Sequence, residues 1–493
     1  MRELDWEPKR ARALADAAAE LWEEYLERLP DLPVDPGLTA AEVSRAVALD
    51  VPSEGISDDE LLDYLRKVVF DVSMYTGSPA FMAYISGSGT VPGAVADLLA
   101  AGINQNVGGW RLGPGATEIE LHLIGFFAKR FGLPDSAGGL LVSGGSIANF
   151  VGLKAARDMK GGLELRKTGV SSAPGLVAYT SSEVHFATTR AADMIGIGTD
   201  AVRMVDVDDH YRLDVGDLER RIEADLAAGL QPFAVIASLG TVATGAIDPL
   251  PHIAELCERY GLWLHVDAAY GGPIVLSDEL EHLAAGVERA DSIAFDPHKW
   301  LYTPQSGGCV LVRDVSSLFD SFSTYGGYIY EDKELTGRGF DLNSLGPQLS
   351  RSFWALKVWV SLLSHGTDAY GRRIAHDVAL TKYLAECVSE RDAFELSAPV
   401  ELSICCFRYV PRDLPEGEGR ERYLSLLNER IMAAVQMDGR VYYSNAILGE
   451  RFVLRTCIVN FRTEASHLDK VLDVTEEIGA KLDAELRPEA LRA

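Results

Sequence analysis

The chain has 493 residues, 47% of them hydrophobic, and 46 Lys and Arg against 73 Asp and Glu give it a formal charge of −27. That length exceeds one ordinary core and calls for two or three domains. The acidic balance argues against a nucleic-acid backbone as partner, which needs clustered Lys and Arg. No apolar run reaches the roughly 18 residues of a membrane span, and the acidic start Met1-Arg-Glu-Leu-Asp-Trp-Glu lacks a signal core. The cysteines (Cys257, Cys309, Cys387, Cys405, Cys406 and Cys457) show no zinc-like spacing. They are read as reduced core thiols of a cytoplasmic protein without a structural metal.

Residues 1–76 form a helical layer, with Leu14, Ala18, Leu21, Trp22 and Leu26 near helical spacing before Pro30, Pro33 and Pro36 interrupt it. A second helix fits Ser57 to Val72, with Ser57 as N-cap and Glu60 three residues on. Alone, this layer would expose an apolar stripe, so it is expected to pack on a partner subunit. From 77 to 364 short apolar runs (138–142, 175–180, 201–205, 232–238, 261–267, 292–296, 308–312) alternate with helical stretches at 117–131, 146–159, 215–228 and 250–260. Continuous apolar runs suit strands buried on both faces, and βα alternation implies a mostly parallel sheet between helices. A helix over 351–364 follows a Gly-rich stretch. Residues 365–493 read as a smaller α+β unit with strands at 401–409, 440–444 and 452–460.

Two of these runs end in chemistry. Leu264-His-Val-Asp267-Ala-Ala269-Tyr270 delivers a carboxylate, and Asp296-Pro-His298-Lys299-Trp300 delivers a lysine flanked by histidine. An acid and a lysine at the carboxyl ends of parallel strands is how a protein holds pyridoxal phosphate. The lysine forms a Schiff base with the aldehyde, and the acid pairs with the pyridinium nitrogen. Ala269, on the same strand face as Asp267, leaves room for a flat ring. The run Ser143-Gly-Gly145-Ser146 opens a helix after a strand, which suits a phosphate. A Gly-Gly turn is by itself only a turn; the lysine and acid give it meaning. His185, at the start of a helix, offers a flat imidazole for stacking or a structural histidine.

Together these stretches resemble the group II pyridoxal-phosphate-dependent decarboxylases, which include the aromatic-amino-acid, histidine and glutamate decarboxylases. The likeness runs from about Phe81 to Trp359. It includes Pro79–Tyr84, Thr117–Glu120, Ser143–Asn149, His185, Ser238–Thr241, His265–Gly272 and Pro297–Trp300. It implies a homodimer of the aspartate-aminotransferase fold (fold type I), with active sites shared between subunits. It implies Lys299 as the Schiff-base lysine, Asp267 at the pyridinium nitrogen and His185 over the ring. Gly145, Ser146 and His298 would lie at the phosphate, and Tyr84 with Gly87–Thr90 near the substrate. The reaction implied is loss of carbon dioxide from an L-amino acid through a quinonoid.

Three departures bear on the substrate and the outcome. Val242 stands where the aromatic-amino-acid decarboxylases resemble a threonine. Gly108 and Gly109, before Trp110, replace a bulky ring, and Arg111 is either a surface or interface residue or a partner for an acidic substrate group. Phe340 falls near the place of a proton-donating tyrosine, with Tyr328 and Tyr330 as earlier candidates. Phenylalanine there resembles the aldehyde synthases, which couple decarboxylation to oxidative deamination. An aromatic amino acid is the leading expectation, with an acidic or diamino substrate as alternative. An aminotransferase would share the lysine and acid but yield a keto acid. A non-enzymatic regulator would need a basic module that the N-terminus lacks.

Overall fold

A computed structural model describes residues 4–323 and 339–491. Its strands are β1 (Phe81–Met82), β2 (Gly138–Val142), β3 (Leu176–Ser181), β4 (Val202–Val205), β5 (Gln231–Ser238), β6 (Trp263–Asp267), β7 (Ser292–Phe295), β8 (Gly308–Val312), β9 (Phe394–Leu396), β10 (Ile404–Tyr409), β11 (Tyr442–Leu448) and β12 (Arg451–Cys457). The helices before the large sheet are α1 (Pro8–Arg28), α2 (Ala40–Val47), α3 (Asp58–Leu65), α4 (Val91–Ile103) and α5 (Pro114–Arg130). Those within it are α6 (Gly145–Gly161), α7 (Leu165–Thr168), α8 (Ala187–Met194), α9 (Val215–Ala227), α10 (Leu250–Tyr260) and α11 (Ser316–Phe322). The last are α12 (Trp354–His365), α13 (Thr367–Glu390), α14 (Arg420–Asp438) and α15 (Ala465–Leu486).

Seven strands form one sheet in the order β2-β8-β7-β6-β5-β3-β4. The run β7-β6-β5-β3-β4 is parallel, and β8 is antiparallel to both its neighbours. Every residue of β2, β3, β6, β7 and β8 is buried, as continuous apolar runs demand of a sheet covered on both faces. The expected mostly parallel seven-stranded α/β sheet is therefore present. The second sheet has the order β1-β11-β12-β10-β9. Its edge strand β1 comes from before the large sheet and pairs in parallel with β11. Two residues carry no periodicity, so only tertiary pairing reveals this strand.

Two buried ionic knots tie the layers. Arg351 and Glu120, both with fully buried side chains, form an ion pair. Arg351 also donates to the carbonyls of Leu141 (2.7 Å) and Val107 (3.2 Å), and Glu120 accepts from the Leu141 amide at 2.8 Å. These bonds hold Arg351 outside the helix, so α12 begins at Trp354 rather than at 351. Asp377 of α13 accepts from Trp300 (3.0 Å) and Tyr302 (2.6 Å), and Arg373 closes on it at 2.6 Å. The turn carrying Lys299 is thereby fastened to the C-terminal region.

The N-terminal helices bury no residue, although Ser57 and Glu60 form the expected capping box on α3. They join the body through Val34, whose amide donates to Gly439 and whose carbonyl accepts from Tyr75. On α4, Val95 (45% exposed) and Leu98, Leu99 and Ile103 (62% each) form an open apolar face, extended by Leu112 at 61%. No described helix is long and apolar enough to cross a membrane.

Candidate active site

Asp267 closes β6, and Lys299 follows the end of the adjacent parallel strand β7 after a turn in which its amide donates to the Asp296 carbonyl at 3.0 Å. Both face a cavity of about 850 Å³ at the carboxyl ends of the central strands. Lys299, Asp267, His185, Gly145, Ser146, Ala269, His298 and Tyr84 all line it, so residues spread over more than 200 positions converge there. Val242 also lines it.

Each of these groups is held by its neighbours. Asp267 accepts the Ala269 amide at 3.0 Å and the Asn149 side-chain amide at 3.2 Å. Lys299 Nζ lies 3.1 Å from Asp296 Oδ2, while Asp296 Oδ1 is buried without a partner. His185 Nδ1 accepts the Ala187 amide at 3.1 Å, and burial, then the charge of Lys299, push its pKa below the ordinary imidazole value. That leaves a neutral ring with its proton on Nε2. His298 Nδ1 donates to the Gly307 carbonyl at 2.6 Å. At the N-terminus of α6, a side chain on Gly145 would meet Asp296 at 2.6 Å, and one on Gly308 would meet the backbone of Gly144 at 2.5 Å. Glycine at these places lets the loop close against β8 while Gly144 itself faces open space.

This donor set fits pyridoxal phosphate: a primary amine, a doubly hydrogen-bonded acid, a neutral flat ring and an open helix N-terminus share one cavity. When bound, the cofactor would meet Lys299, Asp267 and the first turn of α6.

The expected substrate contacts are placed differently. Trp110, Arg111 and Phe340 do not line this chain's cavity, nor do Gly87–Thr90. Trp110 donates from its backbone to Asp341 (2.6 Å), beside Phe340, and from its indole to Glu118 (2.8 Å). Arg111 is exposed next to it. Tyr328 and Tyr330 lie outside the described residues.

Sequence reasoning missed Arg455, and it held Asn149, His265 and Asp296 only as members of their motifs, without a role for any of them. Arg455 reaches the cavity from β12, donating to Ala243 O (3.2 Å), Tyr84 O (3.0 Å) and Ser444 Oγ (3.3 Å), with its buried Nη2 unbonded. No local motif flags an arginine this far from the lysine. Its bond holds Tyr84 in a left-handed backbone conformation, φ +57°, strain of a kind that gathers at working sites.

Residues 42–410 match the pyridoxal-dependent decarboxylase conserved domain. An aromatic-L-amino-acid decarboxylase of Bacillus atrophaeus is 32% identical over 461 residues, 94% of each chain. The cysteine sulfinic acid decarboxylase of Mus musculus is 34% identical over 375 residues, 76% of this chain and 75% of its own. The crystal structure of Oryza sativa TDC with PLP and tryptamine superposes with a TM-score of 0.90 at 27% identity, covering 97% of this chain and 99% of that one. With its cavity, its lysine and its acid so arranged, the chain belongs to the pyridoxal-dependent decarboxylase family.

Proposed function

We propose that the enzyme converts an aromatic L-amino acid to its amine and carbon dioxide, with Lys299 carrying the cofactor, Asp267 at the pyridine nitrogen and His185 over the ring. Gly145, Ser146 and His298 take the phosphate. The observation that carries this reading is the convergence of Lys299, Asp267 and His185 in one cavity that Ile85, Phe186, Val242, Ala243 and Ile447 also line.

Bound pyridoxal phosphate supplies an aldehyde that captures an amine and a protonated ring that accepts the electron pair left by departing carbon dioxide. The chain's residues supply the rest. Lys299 Nζ must shed a proton to act as a nucleophile, and Asp296 Oδ2, 3.1 Å away, is the nearest acceptor. Asp267 would pair with the ring nitrogen, its carboxyl group held in place by two N–H donors. His185, kept neutral by burial, covers the ring without opposing its positive charge. The apolar side chains of the cavity strip water from the substrate, which favours release of a neutral gas from a carboxylate.

The pair of apolar surfaces, α4 and the N-terminal layer, supports a homodimer. In it, Trp110, Arg111 and Phe340 complete the partner's cavity. Mixing a Lys299→Ala chain with a Trp110→Ala chain should then restore part of the activity that each lacks alone. The six thiols are all unpaired, which supports a cytoplasmic location.

A second reading rests on Arg455. Its buried, unbonded Nη2 on the cavity would suit an acidic side chain on the substrate. Carbon dioxide release from a panel of amino acids, with amine, aldehyde and peroxide measured together, separates these outcomes. Turnover of phenylalanine, tyrosine or tryptophan to the amine supports the aromatic reading. Turnover confined to acidic amino acids overturns it in favour of Arg455. Aldehyde with peroxide would replace simple decarboxylation by the oxidative route.

A further inference from the structure

Behind Asp267 runs a chain of buried polar side chains. Trp263 Nε1 lies 2.8 Å from Ser292 Oγ, which lies 2.7 Å from His265 Nδ1. His265 Nε2 is 2.8 Å from Asn149 Oδ1, and Asn149 Nδ2 reaches both Gly145 O (2.9 Å) and Asp267 Oδ2 (3.2 Å). Ser292 and His265 are fully buried, Asn149 is 1% exposed and Trp263 7%.

The direction of every bond in this chain is set from its two ends, the Trp263 indole and the Asp267 carboxylate. An indole N–H can only donate, so Ser292 Oγ accepts it and turns its single proton to His265 Nδ1. Burial pushes His265 down to about 4, and a neutral imidazole that accepts at Nδ1 carries its proton on Nε2. That proton goes to Asn149 Oδ1. The amide nitrogen must then face Gly145 and Asp267. Were the amide turned over, its oxygen would sit against the Asp267 carboxylate. The fold also reserves the space: a side chain at Gly152 of α6 would meet His265 Cε1 and Nδ1 at 2.7 Å.

We infer that His265 and Asn149 are positioning residues for the cofactor acid: His265 locks the Asn149 amide so that it donates to Asp267 and fixes that carboxylate for the pyridine nitrogen. This rests on the assignment of Asp267 to the ring nitrogen. The relay spans β6, β7 and α6, so it also ties the acid to the helix whose N-terminus takes the phosphate. One hydrogen-bonded line thus sets the spacing between two ends of the cofactor.

The test compares two replacements. His265→Gln keeps an N–H near the Nε2 position; His265→Asn keeps only the Nδ1 side. Pyridoxal phosphate affinity of the apoenzyme, the visible band of the bound cofactor against pH, and kcat with KM are read for both. H265N should weaken cofactor binding and lower kcat by roughly 10- to 100-fold, the worth of a hydrogen bond to a charged group, with KM little changed. H265Q should recover most of that loss. In an Asn149→Ala background, H265N should cost almost nothing further, because its effect travels through the amide. Equal losses in H265Q and H265N, or losses in H265N and N149A that multiply, overturn the relay. Should H265N fail to fold, N149A alone decides, since wild-type affinity and kcat there also overturn it. Asp267→Asn checks the underlying assignment separately. If D267N leaves affinity and band untouched, the ring-nitrogen pairing falls; if D267N changes both while N149A changes neither, only the relay falls.

Discussion

Replacing Arg351 by Met should destabilise the protein out of proportion to its size. Its guanidinium and the Glu120 carboxylate are both fully buried, and the arginine is the only cation paired with that acid among the described residues. Glu120 Oε2 already lacks a partner, so losing Arg351 strands a charge with a single donor, the Leu141 amide at 2.8 Å. Stranding one member of a buried pair costs about 3–5 kcal/mol. An unfolding entropy of about 2.1 cal/mol/K per residue over 493 residues makes each kcal/mol worth roughly 1 °C. Tm of the apoenzyme, followed by calorimetry, should therefore drop by about 3–5 °C in R351M. Glu120→Gln in the same chain removes the stranded charge and should return more than half of the drop. If the double variant melts no higher than R351M, the penalty is not electrostatic, and the account of this knot is wrong.

Lys299→Ala should abolish the visible band of reconstituted enzyme; a band at wild-type intensity would move the cofactor elsewhere. Gly152→Ala should force His265 aside at the 2.7 Å contact, with Ser292 Oγ next at 3.2 Å, and cost about 1–3 kcal/mol by overpacking, with weaker cofactor binding by titration; an unperturbed variant would mean α6 yields freely. His265 keeps its folded-state pKa near 4, below the roughly 6.5 of an unfolded histidine. As pH falls between these values the unfolded chain binds the proton and the folded one does not, so stability falls by on the order of 3 kcal/mol and then levels off. The buried acids Asp248 and Asp377, raised to about 6, act with opposite sign in an overlapping window. The quantity to measure is accordingly the urea midpoint of wild type minus that of His265→Gln, at pH 7 and pH 4.5, and a constant difference would contradict the assignment.

What could be read from the sequence was whatever is local. Strands β2, β3, β6, β7 and β8 of the large sheet are buried on both faces, so their residues announce themselves as unbroken apolar runs, and Asp267 and Lys299 stand at the ends of two such runs. His185 and the α6 turn are likewise within a few residues of a strand end. Arg455 is different. Its partners Tyr84 and Ala243 lie hundreds of residues away, and nothing in Leu454-Arg455-Thr456 marks it as more than a strand residue. Asn149 and His265 were visible only as members of their motifs; the directed line between them needs the sheet, which brings β6, β7 and α6 together. Trp110, Arg111 and Phe340 cluster as near neighbours but outside the cavity of this chain, a placement that no local pattern announces.

The cavity takes its wall from Tyr84 at one extreme and Arg455 at the other, and the edge strand β1 is stitched to β11 just beside it. During synthesis Lys299 therefore leaves the ribosome before Arg455, which lines the same cavity from β12, exists. A nascent chain can display the amine but cannot enclose what binds there. With Lys299 in its proposed role, loading with cofactor becomes a late event that waits for β12.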